Sequence, residues 1–587
     1  MRQRFLNMLA LVGFFSFVGC AAEDGLSDDP SGDDELITFS AVQEGTATKA
    51  EISQSDSKVI NWSTGDAITV YDGGGNSVRF GLTEGAGGTR ASFSGKITQT
   101  AESYLALSPY QGGTFSDDGK IQFVTMKAKQ TAVAGSFDPE AALMVSKTAP
   151  GGTSMSFRNV VGYVKVTPQF DCDMISLISE DSSDLLAGTV SIDYNNGEPV
   201  VTVSDDGTNS VSISGDIVAG KTYYIAVLPG TLKSGFRLVF FAKDGKDAVK
   251  STSKSLEIKR NTVINLGSVN STALTQIPYV TFTADAEQIF KMSLCDGITS
   301  LQYSVNNAPW QDIVSNKEIV FGGSDGSLRL RGMSALGTAI KSYASGSTEV
   351  YSSIKFGKKN VYVSCAGDIR TLVDYSNHEN AKTDRARFCY LFIRCANLLS
   401  TPDLPAMTLA DDCYYAMFSG CTGLTTAPDL PATTLAYMCY CAMFSGCIGL
   451  TTAPDLPATT LADYCYYVMF SNCKGLTTAP DLPAMTMATG CYCSMFSNCT
   501  GLTSAPVLPA TTLNTDCYWS MFSGCTNLRL VRIGALKVPI KITNGNKITA
   551  FDGWLDQCAA KGIIRKPSAL TLPSSAVPSG WSVVDYD

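Results

Sequence analysis

Apolar and polar positions repeat with a period of 26 residues between positions 396 and 525. One unit reads LTTAPDLPATTLADYCYYVMFSNC, residues 450–473, and no insertion breaks the phase from one unit to the next. The final cysteine and the phenylalanine three residues before it recur at Cys421, Cys447, Cys473, Cys499 and Cys525 and at Phe418, Phe444, Phe470, Phe496 and Phe522. A fixed period without insertions is typical of units that stack and bury their apolar sides against their neighbours. We expect these two columns to be structural.

Each unit divides into two parts. Leu-Thr-Thr-Ala followed by Pro-Asp-Leu-Pro predicts a short extended segment, because proline suits strand edges and turns. Leu-Ala-Asp-Tyr-Cys-Tyr-Tyr-Val-Met-Phe has apolar residues at helix-like spacing and predicts a short helix or a 3₁₀ turn. A unit of 26 residues falls within the leucine-rich-repeat range of roughly 20–29 residues.

The unit also contains Phe418-Ser-Gly-Cys421 followed by Leu424. In this respect it resembles the BspA-like surface leucine-rich repeats of Bacteroidales, over about residues 389–587. The resemblance implies a leucine-rich-repeat solenoid with short helices or 3₁₀ turns at residues 377–525, closed by a C-terminal cap at 526–587. Proteins of that group include adhesins, so it also implies adhesion.

The preceding chain alternates apolar and polar residues in many short runs, such as Ile68–Tyr71 and Ser77–Phe80 across a Gly-Gly-Gly-Asn turn. Such runs favour β-sandwiches, so the fold class is mainly β. The phrases TFSAVQEGTATKA, WSTGDAITVYD, SFRNVVGYVKV and YYIAVLPG resemble fimbrillin-like domains of Bacteroidales. They imply tandem sandwich lobes, which we place at 37–168 and 169–275. A small β module at 276–376 would then act as an adaptor that caps the first coil.

Residues 1–19 predict a signal peptide, with two arginines before an apolar run too short to span a bilayer. The run ends Phe-Val-Gly-Cys, which resembles a bacterial lipobox, so Cys20 is the expected lipidation site. Residues 20–36 combine the lipidated cysteine with an acidic tether. These features predict a lipid-anchored protein of the outer membrane that is exposed on the cell surface.

The charge pattern bears on the kind of partner and on catalysis. A net charge of −10 argues against nucleic acid, which needs clustered lysine and arginine. Between 396 and 525 there is no histidine, arginine or glutamate, and His378, the one histidine of the chain, is interpreted as a solvated loop residue. We expect no enzyme activity, no cofactor and no metal site. The repeat cysteines favour buried thiols acting as small fillers, and disulfides stay open as an alternative.

Three further columns offer surface or packing roles. The tyrosine ladder, with either a ligand-contact or a packing role, is Tyr414, Tyr440, Tyr466, Tyr492 and Tyr518. The charged ladder, which mutual repulsion should keep exposed, is Asp403, Asp429, Asp455 and Asp481. A third column alternates small and large residues in the order Cys389, Tyr415, Cys441, Tyr467, Cys493 and Trp519 and predicts interleaving.

Together these observations predict a non-catalytic adhesin that displays the repeat array on a fimbrillin-like stalk. The expected partner is a host extracellular-matrix or mucosal protein, or another bacterial surface. Two alternatives remain open: an accessory, anchor or tip subunit of a fimbria, and a surface protein that binds glycans.

Overall fold

The computed structural model describes residues 35–44, 61–115, 119–194, 197–340, 351–543 and 546–586. The predicted signal peptide, Cys20 and all of the tether before Glu35 lie outside the described residues. The fold is mainly β, with 36% strand and 4% helix. No helix in the described ranges is both long enough and apolar enough to cross a membrane.

The first part of the chain contributes ten strands and a 3₁₀ helix at Pro139–Ala141. The strands are β1 (Glu35–Gln43), β2 (Ala67–Tyr71), β3 (Ser77–Glu84), β4 (Arg90–Ile97), β5 (Leu105–Ser108), β6 (Thr114–Phe115), β7 (Lys120–Met126), β8 (Lys129–Thr131), β9 (Met144–Lys147) and β10 (Ser154–Asn159). Seven of them close a barrel in the order β1-β10-β9-β5-β2-β3-β4. The predicted hairpin is confirmed, since Tyr71 of β2 pairs with Ser77 of β3. Closure leaves these strands without a free sheet edge.

Twelve more strands and a 3₁₀ helix at Ser271–Ala273 form the next part. The strands are β11 (Gly162–Pro168), β12 (Cys172–Ser179), β13 (Gly188–Asp193), β14 (Val200–Val203), β15 (Ser210–Ile217), β16 (Tyr223–Val227), β17 (Gly230–Leu232), β18 (Phe236–Ala242), β19 (Ala248–Thr252), β20 (Leu256–Ile258), β21 (Val263–Val269) and β22 (Thr275–Gln276). The main sheet runs β22-β19-β18-β12-β15-β8, and smaller sheets run β16-β11-β21 and β14-β13-β7-β6.

The boundary placed at residue 168 between the two lobes is wrong in the structure. Strand β6 pairs with β7, β7 pairs with β13, β8 pairs with β15 and β11 pairs with β16, so residues 114–115, 119–131 and 162–168 belong to the second lobe. The chain enters the second lobe, returns to the barrel through β9 and β10, and leaves again. A division by sequence order could not reproduce this, because strand pairing brings together residues far apart in the chain.

The described residues of the adaptor form eight strands in two sheets. They are β23 (Val280–Thr283), β24 (Gln288–Ser293), β25 (Gln302–Val305), β26 (Gln311–Asp312), β27 (Ile319–Phe321), β28 (Leu328–Arg331), β29 (Ser353–Phe356) and β30 (Ser364–Ala366). Its helices are a 3₁₀ helix at Gly323–Asp325, α1 (Thr371–Asp374) and a 3₁₀ helix at Tyr375–Asn380. The adaptor and the repeats share one continuous hydrophobic core that includes Val280, Phe392, Phe470 and Trp581. The predicted role of the module, to cover the first coil, agrees with this shared core.

Cationic and aromatic side chains join the second lobe to the adaptor. The Arg331 guanidinium of the adaptor lies 4.9 Å from the ring centroid of Phe241 in the second lobe and 4.3 Å from that of Trp310. In the same cluster, Asp247 of the second lobe accepts hydrogen bonds from the Tyr279 hydroxyl at 3.0 Å and from the Trp310 indole at 3.4 Å. Such desolvated cation–π contacts are worth about 2 kcal/mol each. They hold the two parts together through directional contacts.

The 26-residue units form successive parallel coils. Short parallel bridges join Thr426 to Thr452 and Thr452 to Thr478, at the extended segment of each unit. In the other half, backbone N–H groups alternate between two partners: Tyr414 donates to the carbonyl of Cys439 in the next coil, and Tyr415 donates to Asp412 within its own coil. This alternation gives every second N–H to the neighbouring coil and binds the stack together.

Of the two predictions for the second half of the unit, the helix is wrong. The segment is a run of turns with N–H bonds to the residue three earlier, and a positive φ recurs every fourth residue, as at Asp412, Ala416 and Gly420. A helix would keep its N–H groups for internal carbonyls. Here half of them are needed by the next coil, so the chain turns repeatedly without winding into a helix.

The stack continues past the last sequence repeat. The N–H groups of Phe522 and Gly524 donate to the carbonyls of Trp554 and Asp556, as equivalent groups do between regular coils. The last repeat unit contains β31 (Val507–Leu508), and the cap contains β32 (Leu530–Ile533), β33 (Ile540–Thr543), β34 (Asn546–Thr549), β35 (Gly562–Pro567), β36 (Trp581–Tyr586) and a 3₁₀ helix at Ser574–Ala576. Strands β31, β32, β35 and β36 pair in parallel. The cap therefore extends the parallel stack with longer connections.

Candidate functional site

The predicted structural columns form the interior of the stack. The Phe418, Phe444, Phe470, Phe496 and Phe522 rings are 0% exposed, and their neighbouring centroids lie 5.6–5.8 Å apart at 5–8° between planes. The Cys421, Cys447, Cys473, Cys499 and Cys525 thiols are free and buried. Both columns therefore have the structural role that the sequence predicted.

The repeat thiols are more than small fillers. The Sγ of Cys473 donates to the carbonyl of Phe444 in the preceding coil at 3.1 Å, and the other thiols of this column donate equivalently over 3.0–3.1 Å. Burial raises the pKa of Cys447 and of Cys499 to about 12. Because the thiolate is the reactive form, these groups are chemically quiet as well as inaccessible.

The tyrosine ladder lies inside the stack. Tyr414, Tyr440, Tyr466, Tyr492 and Tyr518 are each 1% exposed, and adjacent rings stack with centroids 5.7–6.4 Å apart. Burial raises the pKa of all five well above the ordinary value of tyrosine. The ligand-contact interpretation is wrong, and the packing alternative is correct, because this column points between the coils.

The charged ladder lies on the surface. Asp403, Asp429, Asp455 and Asp481 are all exposed. A parallel bridge joins Asp368 to Asp403, so the row of aspartates reaches back into the adaptor. Partial burial, followed by the charges of Asp368 and Asp429, raises the pKa of Asp403. The exposure agrees with the prediction from mutual repulsion, whereas a role in binding stays a prediction.

His378 is not the solvated side chain that the sequence suggested. It is 4% exposed, and burial lowers the pKa of its imidazole. Its Nδ1 has no hydrogen-bond partner among the described residues. It lies in the 3₁₀ helix Tyr375–Asn380.

The alternating column interleaves as predicted. Cys389, Cys441 and Cys493 are buried, whereas Tyr415 and Tyr467 are half-buried and Trp519 is 43% exposed. The small thiol of one coil leaves space for the large rings of the adjacent coils. Aromatic rings therefore lie at the surface on this side of the stack.

Two columns that the sequence reading did not single out complete this surface. Tyr437, which is 36% exposed, and Tyr464 have ring centroids 6.1 Å apart, and the Tyr464 and Tyr467 centroids are 6.0 Å apart. Gly490 makes room for Tyr464, since a Cβ at Gly490 would lie 2.3 Å from the ring Cε1. The sequence contained one signal that could have identified these columns: their residue type changes from coil to coil, whereas the buried tyrosine and phenylalanine columns keep theirs.

Carboxylates stand among these rings. Asp411 Oδ1 accepts a hydrogen bond from the backbone N–H of Tyr437 at 3.0 Å, and Asp463 Oδ1 accepts one from Thr489 at 2.8 Å. Burial, then the nearby carboxylates, raises the pKa of Tyr437 and of Tyr464. We define the aromatic–acidic face as Asp411, Tyr437, Asp463, Tyr464, Tyr467, Asp516 and Trp519.

A separate cavity of about 670 Å³ lies beside the barrel. Its lining includes Arg79, Tyr110, Lys127 and Glu140. Lys127 is paired with Glu140, and Arg79 lies 5.7 Å from the Tyr110 ring centroid. The cavity is distant in the chain from the repeats and holds no histidine, and we assign it no role.

Comparisons with known proteins give no assignment. No protein-family model and no curated protein matches the sequence. Solved structures with some similarity include a "putative cell adhesion protein" from Bacteroides ovatus (13% identity, TM-score 0.28, 41% of this chain and 95% of that chain) and another from Bacteroides uniformis (15%, 0.26, 41% and 96%). A fimbrial protein from Bacteroides ovatus has 14% identity and a TM-score of 0.19, over 42% of this chain and 52% of that chain. At these TM-scores the similarity carries no argument about fold or function.

Proposed function

We propose that this protein is a cell-surface lipoprotein that acts as a non-catalytic adhesin. In this proposal, BspA-like leucine-rich repeats form the binding part, and fimbrillin-like lobes hold it away from an outer membrane to which Cys20 is anchored. The sequence phrases and the lipobox-like ending of the apolar run support the surface location. The adaptor supports the arrangement, because it shares its core with the first coils.

One observation carries the binding role: the rigid stack exposes aromatic rings and carboxylates side by side at the aromatic–acidic face. Exposed tyrosine and tryptophan supply large contact areas at low entropic cost and are enriched at binding hot spots. The face has no histidine or other general base with a matched acid, and residues 396–525 contain no arginine, glutamate or histidine at all. The chemistry that is present suits binding better than catalysis.

A binding assay on the full chain tests this proposal. The soluble protein, expressed without residues 1–19 and with Cys20→Ser, is passed over immobilised collagen, fibronectin and mucin and over a glycan array. Saturable binding to a protein surface, with no turnover of the bound material, is the expected result. Absence of binding to every protein surface would overturn the adhesin assignment, and co-purification with pilin polymers would favour a fimbrial accessory role.

Glycan binding is the second function that a specific observation favours. The exposed rings of Tyr437 and Trp519 could stack on sugar faces, with Asp463 accepting hydrogen bonds from hydroxyl groups. The same assay separates the two functions. Binding confined to glycans, and removed by Trp519→Ala, would replace the adhesin proposal by this one.

Anchoring is tested on cells. Metabolic labelling with a clickable fatty acid should mark the wild-type protein and leave Cys20→Ser unlabelled. Protease added to intact cells should remove the repeats if they are displayed outside, and full protection would contradict surface exposure.

A further inference from the structure

The 3₁₀ helix Tyr375–Asn380, which we call the junction helix, lies in the chain between the adaptor strands and the repeats. Its Ser376 hydroxyl accepts a hydrogen bond at 3.3 Å from the Nε–H of Arg237, which belongs to the second lobe. Its Asn377 amide donates one at 3.1 Å to the carboxylate of Glu180, also in the second lobe. The junction helix therefore makes direct polar contacts across the joint between the second lobe and the adaptor.

These contacts depend on the junction helix being closed. Asp374 caps the helix, because its Oδ1 accepts hydrogen bonds from the backbone N–H groups of Ser376 and Asn377 at 3.0 and 3.1 Å. The other oxygen of the same carboxylate lies 3.4 Å from the guanidinium of Arg237, which is 5% exposed and also pairs with Glu180 at 2.7 Å. Members of such a buried polar network strengthen one another. Opening of the helix would therefore loosen the whole set of contacts.

The histidine of the chain is buried in this helix. His378 is 4% exposed, and its Nδ1 has no hydrogen-bond partner among the described residues. Its backbone carbonyl accepts a hydrogen bond from the N–H of Ala381 at 3.2 Å and so closes the last turn. A protonated imidazole carries an N–H on both ring nitrogens. A buried charge with an unpaired donor is costly, so protonation favours an open helix in which water reaches the ring.

The surrounding charges do not cancel this effect. Burial lowers the pKa of His378, while the charges of Asp368 and Glu379 oppose the shift and that of Arg370 adds to it. Asp368 and Arg370 pair with each other at 2.7 Å, and both also influence the pKa of Tyr414 in the first coil. The ionisable groups around the helix are thus Asp368, Arg370, Asp374 and Glu379 of the adaptor, Glu180 and Arg237 of the second lobe, and Tyr414 of the repeats.

A second set of contacts keeps the two parts attached when the helix opens. Arg331 lies 4.9 Å from the Phe241 centroid and 4.4 Å from that of Tyr375, the first residue of the junction helix. Arginine and these rings do not change charge between pH 7.5 and 5.5. Asp247 accepts a hydrogen bond from Tyr279 in the same cluster, and burial raises the pKa of its carboxyl. Asp247 is therefore the competing source of a response to acid at this joint.

We propose that the junction helix is an acid-sensitive element: when His378 binds a proton, the helix opens, releases Glu180 and Arg237, and lets the adaptor and its repeats change direction relative to the second lobe. One proton is taken up for each opening, so every pH unit below about 6.5 favours the open helix by at most about tenfold. The closed form prevails above that pH. This inference goes beyond the proposed adhesion, since it concerns the direction of the repeats and not their ligand.

Hydrogen exchange on the full soluble chain tests the opening. After allowance for the pH dependence of chemical exchange, protection of the amides at 375–380 should fall about tenfold between pH 7.5 and 5.5, and protection in the barrel should stay constant. His378→Gln, which cannot take up the proton, should keep the helix protected at both pH values. Constant protection in the wild type would overturn the inference. An equal fall in His378→Gln would also overturn it and would assign the response to another group, such as Asp247.

A spectroscopic measurement on the wild-type chain does not depend on any variant. Because the chain has one histidine, protein purified without a histidine tag and labelled with carbon-13 histidine gives a single imidazole titration by NMR. Its midpoint should lie below 6.5 and coincide with the loss of protection at 375–380. A midpoint at or above 6.5, or one separated from the loss of protection, would overturn the coupling between His378 and the helix.

A distance measurement tests the change of direction. Dyes are placed at Lys254 in the second lobe and Lys474 in the repeats, both exposed, through unnatural amino acids. The distribution of energy-transfer efficiency should be narrow at pH 7.5 and broad at pH 5.5, and a narrow distribution at both would overturn the movement. Asn377→Ala, which removes the bond to Glu180, should broaden it already at pH 7.5. Asn380→Ala is the matched control, since Asn380 is exposed and its amide donates within the helix.

Equal broadening by the two asparagine variants would overturn the role assigned to the contact with Glu180. None of these measurements involves a ligand of the repeats. Failure of the adhesin proposal would therefore leave this inference standing, and failure of this inference would leave the adhesin proposal standing.

Discussion

The barrel and the repeat stack build their cores in different ways. In the barrel, Trp62 meets Phe93 and Phe157 edge-on, at 72° and 78° between ring planes. In the stack, neighbouring phenylalanine rings from Phe418 onward lie within 8° of parallel. Barrel strands twist and cross, so each core contact is individual. Equivalent residues of the coils are related by translation, so their side chains lie parallel and share one environment.

The two regions therefore differ in how far the position of a residue in the sequence predicts its burial. In the columns of the stack that repeat one residue type, the position within the unit decides burial, so one buried residue of the tyrosine ladder implies five. The columns that change from coil to coil, those of Tyr437, Tyr464 and Tyr467, reach the surface and carry distinct chemistry. In the barrel no such rule applies, because burial depends on which strands meet.

The largest expected effect comes from removing a ring in the middle of the stack. Phe470→Ala takes away a fully buried side chain with stacked neighbours on both sides and should cost about 3–5 kcal/mol. Because the stack and the adaptor share a core, hydrogen exchange should rise through both and leave the barrel unchanged. Phe93→Ala is the matched truncation in the barrel. If Phe470→Ala loosened the barrel as much as the repeats, the two regions would not be independent.

A smaller loss is expected when a side chain is added beside Tyr464. Gly490 has φ +56°, and its new Cβ would collide with the Tyr464 ring, so Gly490→Ala should cost about 1–3 kcal/mol in urea unfolding. Gly230 in the second lobe is the control, since its Cβ would meet nothing within 4 Å. Gly230→Ala should stay within about 0.5 kcal/mol. Equal costs at both sites would contradict the close packing of Tyr464 on the next coil.

His378, where the adaptor meets the repeats, makes stability depend on pH. Its folded pKa is lowered from 6.5, mainly by burial, so below about pH 6.5 the unfolded chain binds a proton that the folded chain resists. Stability is fully present above that pH and is lost as the pH falls toward the folded pKa. Asp368 and Glu379 oppose the shift and Arg370 adds to it. The urea midpoint of the adaptor and repeats should fall between pH 7 and 5.5, and the slope should disappear in His378→Gln, since the chain has no other histidine.

The smallest effect is expected on the charged ladder. Asp455→Asn removes one of several exposed like charges and should raise stability by no more than about 0.5 kcal/mol at low salt. Salt at about 1 M should remove most of the difference, because the screening length then falls to about 3 Å, which is shorter than the distance between adjacent coils. A loss of stability would indicate that Asp455 makes a favourable contact.

The sequence by itself determined the existence and phase of the repeats, the β-rich class and the burial of the phenylalanine and cysteine columns. These follow from local pattern, because a strict period allows only units that stack in equivalent positions. It also indicated that the Asp403 row is exposed and that Cys441 and Cys493 alternate with large rings.

Only the tertiary structure decided the remaining features. The tyrosine column is internal because the run of turns in each coil directs these side chains inward. Neither composition nor period specifies that direction. Residues 119–131 belong to the second lobe because of long-range pairing of β7 and β8. The aromatic–acidic face arises from side chains of different coils that approach one another only after stacking. The local sequence pattern determines which side chains each coil buries. The packing of the coils determines which side chains lie together on their shared surface.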